Sequence, residues 1–176
     1  MSRSSALDTS HQFATFQQAL VRMLPRLRGL ALSYCGSLAD AEDTVQQTCE
    51  RALKSWRQWR GAGELEHWLL KILVNAWRDE RRYRQLRSPD GAAPQETAVD
   101  NGTDAETEAY LDQVRAEILR LPSAQREVLL LVAGEGLSYK EAAFTLGVPI
   151  GTVMSRLARA RQTLVEALGD LDEGND

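Results

Sequence analysis

The sequence predicts an all-α fold, with two small helical domains joined by a flexible linker and a helix-turn-helix in the C-terminal one. Three observations carry that expectation. Apolar residues recur at helical spacing through nearly the whole chain. No segment alternates apolar and polar residues as a half-buried strand does, and no Asn-Gly or Asp-Gly pair links two apolar runs as a hairpin would. From Ser88 to Glu108 the composition breaks: two prolines, two glycines, no large apolar residue beyond Val99, and Asp90, Glu96, Asp100, Asp104, Glu106 and Glu108 without one base. Such a stretch has too little apolar surface to order itself. The chain therefore divides into residues 10–87, an acidic linker at 88–108, and residues 109–170.

The 176 residues suit two small domains. Hydrophobic content of 43% and charge of 26% are ordinary for a globular chain, and a core of Leu, Val and Ala with only 6% aromatics favours helix. No apolar run approaches the roughly 20 residues a membrane span needs. No secretory apolar region follows Met1-Ser2-Arg3-Ser4-Ser5. The expectation is a cytoplasmic protein that reaches a membrane only through a partner. Cys35 and Cys49 form no CxxC pair, which fits a reducing compartment, and His11 and His67 are isolated. Neither a metal site nor a cofactor is expected. There is no nucleophile–base set and no phosphate-cradling glycine loop, so no catalytic residue is assigned and an enzyme is not expected. The net charge of −4 argues against a general nucleic-acid coat protein and shifts attention to local charge.

In the N-terminal part, Leu20, Leu24, Leu27, Leu30 and Ala31 mark a helix between about Phe13 and Tyr34. Pro25 is expected to kink or split it, because proline removes a helical hydrogen bond. Ser37-Leu38-Ala39-Asp40 has the form of an N-terminal cap. The next helix runs to about Trp56 with an apolar stripe of Val45, Cys49, Ala52, Leu53 and Trp56. Its polar face is Glu42, Asp43, Gln46 and Glu50. Acids near a helix N-terminus are favourable by themselves. Spacing alone does not choose between a solvated face and a protein-binding one.

Arg60-Gly61-Ala62-Gly63 reads as a loop, and Glu64 to Leu86 as a helix that starts apolar and ends basic. Leu65, Trp68, Leu69, Ile72, Leu73 and Ala76 suit the core. Asn75, Arg78, Arg81, Arg82 and Arg84 leave the other side polar. Aromatics interleaved with arginine suit single-stranded nucleic acid, where bases stack and phosphates pair. Trp77, Arg78, Arg81 and Arg82 are read that way, against a plainer reading in which tryptophans anchor the core and arginines only solubilise.

The C-terminal part opens with a helix from about Ala109 to Arg120, broken at Leu121-Pro122-Ser123. Three further helical segments are separated at Gly134-Glu135-Gly136 and Gly147-Val148-Pro149. Ser138-Tyr139-Lys140-Glu141 is a capping box, and Ala142, Ala143 and Leu146 give a small inner face on which a second helix can pack closely. That second helix, about Ile150 to Leu168, has an inner stripe of Val153, Leu157, Ala160 and Leu164. Thr152, Ser155, Arg156 and Arg159 share its outer face. A short helix, a tight glycine turn and a helix with an Arg/Ser/Thr face make a helix-turn-helix that fits the major groove. Arg161 lies off that face. The acidic tail from Gly169 to Asp176 is expected to fray.

Taken together, these segments resemble the extracytoplasmic-function sigma factors, small members of the housekeeping sigma family. Asp-Ala-Glu-Asp-Thr-Val-Gln-Gln-Thr at 40–48 is similar to the family's Asp-Ala-Glu-Asp-Leu-Val-Gln-Glu-Thr. Trp68-Leu69-Leu70-Lys71-Ile72 with Asn75 resembles its Trp-Leu-x-x-Ile-x-x-Asn run, and Arg81-Arg82 the basic end. Leu121-Pro122-x-x-x-Arg126-Glu127-Val128 resembles the opening of its second domain. Gly151-Thr152-Val153-x-Ser155-Arg156-Leu157-x-Arg159-Ala160-Arg161 resembles its recognition helix. The likeness covers about residues 13–86 and 109–168 in the family's order.

The resemblance implies a division of labour. Residues 10–87 correspond to sigma region 2 and 109–170 to region 4. Asp40, Glu42, Asp43, Gln46, Gln47 and Glu50 would bind core RNA polymerase at the clamp helices of its largest subunit. The 61–84 segment, with Asn75 and Arg78 near the strand, would open and read the promoter element beside the start site. The helix-turn-helix at 138–159 would read the upstream element. The linker would thread toward the RNA exit path. Further partners implied are the flap of the second-largest subunit and an anti-sigma protein. Two departures stand out: Gln47 replaces the family's usual acid, and Met154 replaces a common lysine. The alternatives are a stand-alone helix-turn-helix regulator, which leaves residues 40–86 idle, and a sigma mimic, which would be expected to lose Arg156 and Arg159.

Overall fold

The computed structural model describes residues 3–59, 65–87 and 105–172, and every described element is helical. The expected loop at 60–63, linker residues 88–104 and the tail beyond 172 lie outside the described residues. Helix α1 (Arg3–Cys35) is one continuous helix with Pro25 inside it. An interior proline costs about 3 kcal/mol. Burial of Phe16, Leu20, Met23, Leu27, Leu30, Ala31 and Tyr34 along one stripe offsets it, which is why the expected split does not occur. Gly36, with φ +75°, ends α1.

Ser37 then caps α2 (Leu38–Ser55), its hydroxyl accepting from the Asp40 N–H at 3.2 Å. The buried residues of α2 are small: Ala41, Thr44, Val45, Thr48 and Ala52. Thr44 and Thr48 donate their hydroxyls to the carbonyls of Asp40 and Thr44, so neither buries an unpaired donor. Leu53, expected in the core stripe, stands on the exposed side instead, and Cys49 is half-buried. A short 3₁₀ turn (Trp56–Gln58) follows. There Trp56 and Trp59 join Phe13, Phe16 and Trp68 in an aromatic cluster with ring centroids 5.1–6.4 Å apart.

Helix α3 (Leu65–Arg87) buries more than one helical face: Leu65, Leu69, Leu70, Leu73, Val74, Ala76 and Trp77. Leu70 and Val74 were not expected in the core. They are buried because α3 packs on α1 and α2 on one side and on α6 of the C-terminal unit on the other.

That unit begins with α4 (Ala105–Arg120), four residues inside the segment expected as linker. Helix α5 (Ser123–Leu129) runs into a π-helical turn (Leu130–Gly134), closed by Gly136 at φ +71°. Helix α6 (Tyr139–Leu146) carries the complete capping box, Ser138 with Glu141. It ends at Gly147, φ +67°, with the Val148 N–H bonded to the Ala143 carbonyl at 3.1 Å. Helix α7 (Ile150–Asp172) starts directly after Pro149 and extends four residues past the expected end. Ala142, Leu146, Val153, Leu157 and Ala160 form the seam between α6 and α7. One hydrophobic cluster runs through both units, from Phe16 to Ala160.

The turn of the helix-turn-helix depends on a left-handed residue at 147. Gly147→Ala should lower stability by about 1–2 kcal/mol although nothing lies within 4 Å of the added methyl. Gly151→Ala, in ordinary helical conformation with equal room, should be neutral or stabilising by about 0.5–1 kcal/mol. Urea unfolding midpoints of the two variants test the difference.

Candidate nucleic-acid and protein interfaces

Three surfaces carry the residues singled out from the sequence. The first is the outer face of α7. Ser155 and Arg159 are exposed, Thr152 and Arg156 half-buried, and the Ser155 hydroxyl donates to the Thr152 carbonyl at 3.1 Å. Among the described residues, neither Arg156 nor Arg159 makes an ion pair. Their guanidinium groups are available to an outside acceptor. The buried seam lies on the opposite side of α7, so packing fixes the direction in which this face points. On the flank of α7 turned away from this face runs an apolar strip that the sequence reading did not single out: Ile150, Met154 and Val165, each at least half exposed.

The second surface is the acidic side of α2. Glu42, Asp43, Gln46 and Glu50 are exposed along one stripe, with the Gln46 amide donating to Glu50 at 3.2 Å. The other two candidates of this group sit differently. Asp40 is turned toward α3 and takes a forked pair of hydrogen bonds from Arg84, one of them 2.6 Å from Nη2 to Oδ1. That guanidinium holds the Asp40 carboxyl below its usual range, and the Ser37 hydroxyl assists. Gln47 is half-buried and accepts from Arg51, which also pairs with Asp79 at 2.8 Å. An acid at 47 would bring a second negative charge to Arg51. The amide leaves that arginine to Asp79.

The third surface is α3, and here the structure separates residues that the sequence grouped. Asn75, Arg81 and Arg82 are exposed. Trp77, expected at a nucleic-acid surface, is 5% exposed and stacks on Tyr34 with centroids 4.8 Å apart. Its indole is a core anchor in this arrangement, and Arg81 lies over the outer edge of the pair, 6.0 Å from the Trp77 centroid. Arg78 is half-buried and engaged. Its Nε and Nη2 donate to the two carboxylate oxygens of Glu127 at 2.8 and 2.6 Å, and its Nη1 donates to the Leu146 carbonyl at 3.3 Å.

The partner of Arg78 belongs to the Leu121-Pro122-x-x-x-Arg126-Glu127 motif, whose physical role is now visible. Arg126 is almost fully buried and donates to main-chain carbonyls: Ile118 at 3.1 Å, Leu121 at 3.2 Å, Leu119, and Tyr34 at 2.8 Å. It closes the C-terminal end of α4, where unpaired carbonyls favour a cation. Burial pushes its pKa down, and the carbonyl cage keeps the charge tolerable. The sequence reading quoted this motif only for its resemblance. No spacing rule points from Glu127 to Arg78 forty-nine residues away.

Among the described residues no group of three or more His, Cys, Asp or Glu is placed to hold a metal, and no helix is long and apolar enough to cross a membrane. Burial pushes the Cys35 thiol up to about 11, with its Sγ 3.5 Å from the Thr44 hydroxyl. A thiol in that state is a poor nucleophile.

Comparison with known proteins places the chain in a family. Residues 20–87 match the family model for sigma-70 region 2, and residues 111–164 the model for sigma-70, region 4. The chain is 35% identical over 147 residues to the ECF RNA polymerase sigma factor EcfG of Rhodopseudomonas palustris, covering 82% of this chain and 80% of that one. It is 33% identical over 159 residues to the ECF RNA polymerase sigma factor SigM of Mycobacterium tuberculosis, covering 90% and 80%. Its fold is similar to that of the sigma factor RpoE from Bartonella quintana, solved with the anti-sigma factor NepR. The TM-score is 0.76 at 31% identity over 88% of this chain and 97% of that one.

The Asp40–Arg84 pair predicts a measurable titration. The carboxyl pKa is depressed on folding, so the pair's stabilisation is present above the unfolded value near 3.8 and is lost as pH falls through the lower folded value. Carbon-detected NMR should place the Asp40 midpoint below 3.8 in the native protein and return it toward 3.8 in Arg84→Met. Because the pair is partly solvated, the stability change at pH 7 should stay within about 1 kcal/mol.

Proposed function

This chain belongs to the sigma-70 family, as an alternative sigma factor of the extracytoplasmic-function branch, and from that premise we propose which of its residues do the work. The acidic stripe of α2, Glu42, Asp43, Gln46 and Glu50, docks on the clamp helices of the polymerase's largest subunit. Asp40 and Gln47 act at the edge of that contact, because Arg84 and Arg51 already hold them. With an amide at 47, this edge contributes a hydrogen bond rather than a charge pair.

Asn75, Arg78, Arg81 and Arg82 on α3 meet the separated promoter strand near the start site. Trp77 serves them as the anchor that fixes α3 against α1. Thr152, Ser155, Arg156 and Arg159 on α7 read the upstream promoter element in the major groove. Met154 is 52% exposed where many relatives carry lysine, so this edge of α7 offers an apolar surface in place of one phosphate contact. We assign that strip, with Ile150 and Val165, to a protein partner such as the polymerase flap.

The observation that carries this reading is the coexistence of two cationic faces on separate helices with an acidic face between chain positions 42 and 50. A stand-alone regulator explains α6 and α7 alone, and a mimic has no use for unpaired arginines at 156 and 159. The division also accounts for the low net charge: weak binding by the free chain avoids idle occupancy of the genome. The chain acts as a regulatory subunit without chemistry of its own, in the cytoplasm, with an anti-sigma protein as its controlling partner.

Arg156→Ala with Arg159→Ala should abolish promoter-specific run-off transcription and leave core-polymerase binding unchanged. Glu42→Ala with Asp43→Ala should instead weaken core binding itself by about tenfold or more, since each lost interfacial charge contact costs on the order of 1 kcal/mol. Transcription surviving the first pair at physiological salt would remove α7 as the recognition helix.

A further inference from the structure

Two ion pairs tie α2 to α3, and they run in opposite directions. Arg84 of α3 reaches back to Asp40 of α2, with 2.6 Å from Nη2 to Oδ1, and also holds Glu80 at 2.9 Å. Arg51 of α2 reaches forward to Asp79 of α3, with 2.8 Å from Nη1 to Oδ2. The second pair bears on the strand-binding face. The basic half of α3, from Asn75 to Arg87, holds five arginines and two acids. Glu80 is taken by Arg84 of its own helix. Asp79 stands four residues after Asn75 and three before Arg82, so the three side chains are neighbours on one helix face. All three are exposed. A carboxylate thus sits among the side chains assigned to the promoter strand, and its cation comes from the other helix.

An exposed carboxylate among phosphate-binding cations is unfavourable, because like charges within a Debye length of about 8 Å at physiological salt repel. Arg51 cancels that charge. Its side chain is 40% exposed and that of Asp79 52%, and a pair so solvated adds little to stability. Its larger consequence is for the charge that an approaching strand meets. We infer that Arg51, although carried by the polymerase-docking helix, is a positioning residue of the strand-binding face: it neutralises Asp79 and leaves Asn75, Arg81 and Arg82 to act as a cationic surface. The amide at 47 belongs to the same device. Gln47 accepts from Arg51 Nη2 at 3.4 Å without bringing a charge, so the guanidinium compensates Asp79 alone. A glutamate there would divide it between two acids. The inference rests on the assignment of α3 to single-stranded DNA made above.

The test uses the full-length chain and a fluorescent single-stranded DNA of mixed sequence, read by anisotropy at physiological salt. Arg51→Met should weaken binding about threefold, the size of effect that one surface charge pair produces. Asp79→Asn breaks the same bridge but removes the offending charge, so it should tighten binding by about the same factor. The double variant should return to the native affinity, and Arg51→Lys, which keeps the charge, should bind as the native chain does. Gln47→Glu should weaken binding by a smaller factor than Arg51→Met. The opposite signs carry the inference, because a bridge that only braced α2 against α3 would make Arg51→Met and Asp79→Asn weaken binding alike. That result would overturn it. An Asp79 carboxylate that accepts from a base would also show as a loss in Asp79→Asn, with the same consequence, and so would unchanged affinity in both variants. Should Arg51→Met fail to give a native helical melt, Asp79→Asn and Gln47→Glu must still move binding in opposite directions. Arg81→Ala with Arg82→Ala is measured alongside. If that change leaves binding intact, α3 is not the strand face and the premise falls. If it weakens binding while Arg51→Met and Asp79→Asn agree in sign, only the role of Arg51 is lost.

Discussion

Two oppositely charged neighbours in the chain, Arg126 and Glu127, join four helices at one point. Arg126 takes up the open carbonyls at the end of α4 and the carbonyl of Tyr34 on α1. Glu127, at the other side of α5, takes up Arg78 on α3. Neither charge is tolerable in that position without its partners, since a buried ion that loses its pairing costs several kcal/mol. The orientation of α5 therefore fixes the angle at which the C-terminal unit meets the N-terminal one. Helix α7 inherits that angle through the packing of α5 and α6 on it.

At this joint α3 is engaged on two sides. One side of the helix is committed to the core of its own unit through Leu69, Leu73 and Ala76. The opposite side carries Lys71 and Arg78, which meet Phe144 and Glu127 of the C-terminal unit. The acidic stripe of α2 lies away from both. A partner docking there need not compete with the joint. Low net charge with strongly sorted local charge is thus an arrangement of surfaces rather than an average property.

Local chemistry made the helix-turn-helix legible in the sequence. The capping box at Ser138 and Glu141, the left-handed Gly147 and the 3.6-residue stripe through Val153, Leu157 and Ala160 are each short-range signals, and each appears in the structure. The cap at Ser37 was equally readable. Signals that depend on distant neighbours were not. Pro25 looks like a break until the buried stripe on both sides of it is counted. Leu70 and Val74 look like a surplus of apolar residues until α6 is laid against them. Trp77 has the composition of a base-stacking residue, and only the position of Tyr34 shows that its ring is already stacked. Leu53 fits a helical stripe by spacing, yet α1 covers the small residues of α2 rather than this one. Arg78 and Glu127 could each be named as charged, but their pairing is a property of the tertiary packing.

The most direct test of the account is competition between this chain and the housekeeping sigma factor for core RNA polymerase, measured with purified components free of any anti-sigma protein. Mutually exclusive occupancy is the predicted result, because both would use the same clamp surface and only one acidic helix can sit there. Simultaneous occupancy of one enzyme by both proteins, or no binding of this chain at all, would contradict the central claim that its acidic α2 face is a polymerase-docking surface.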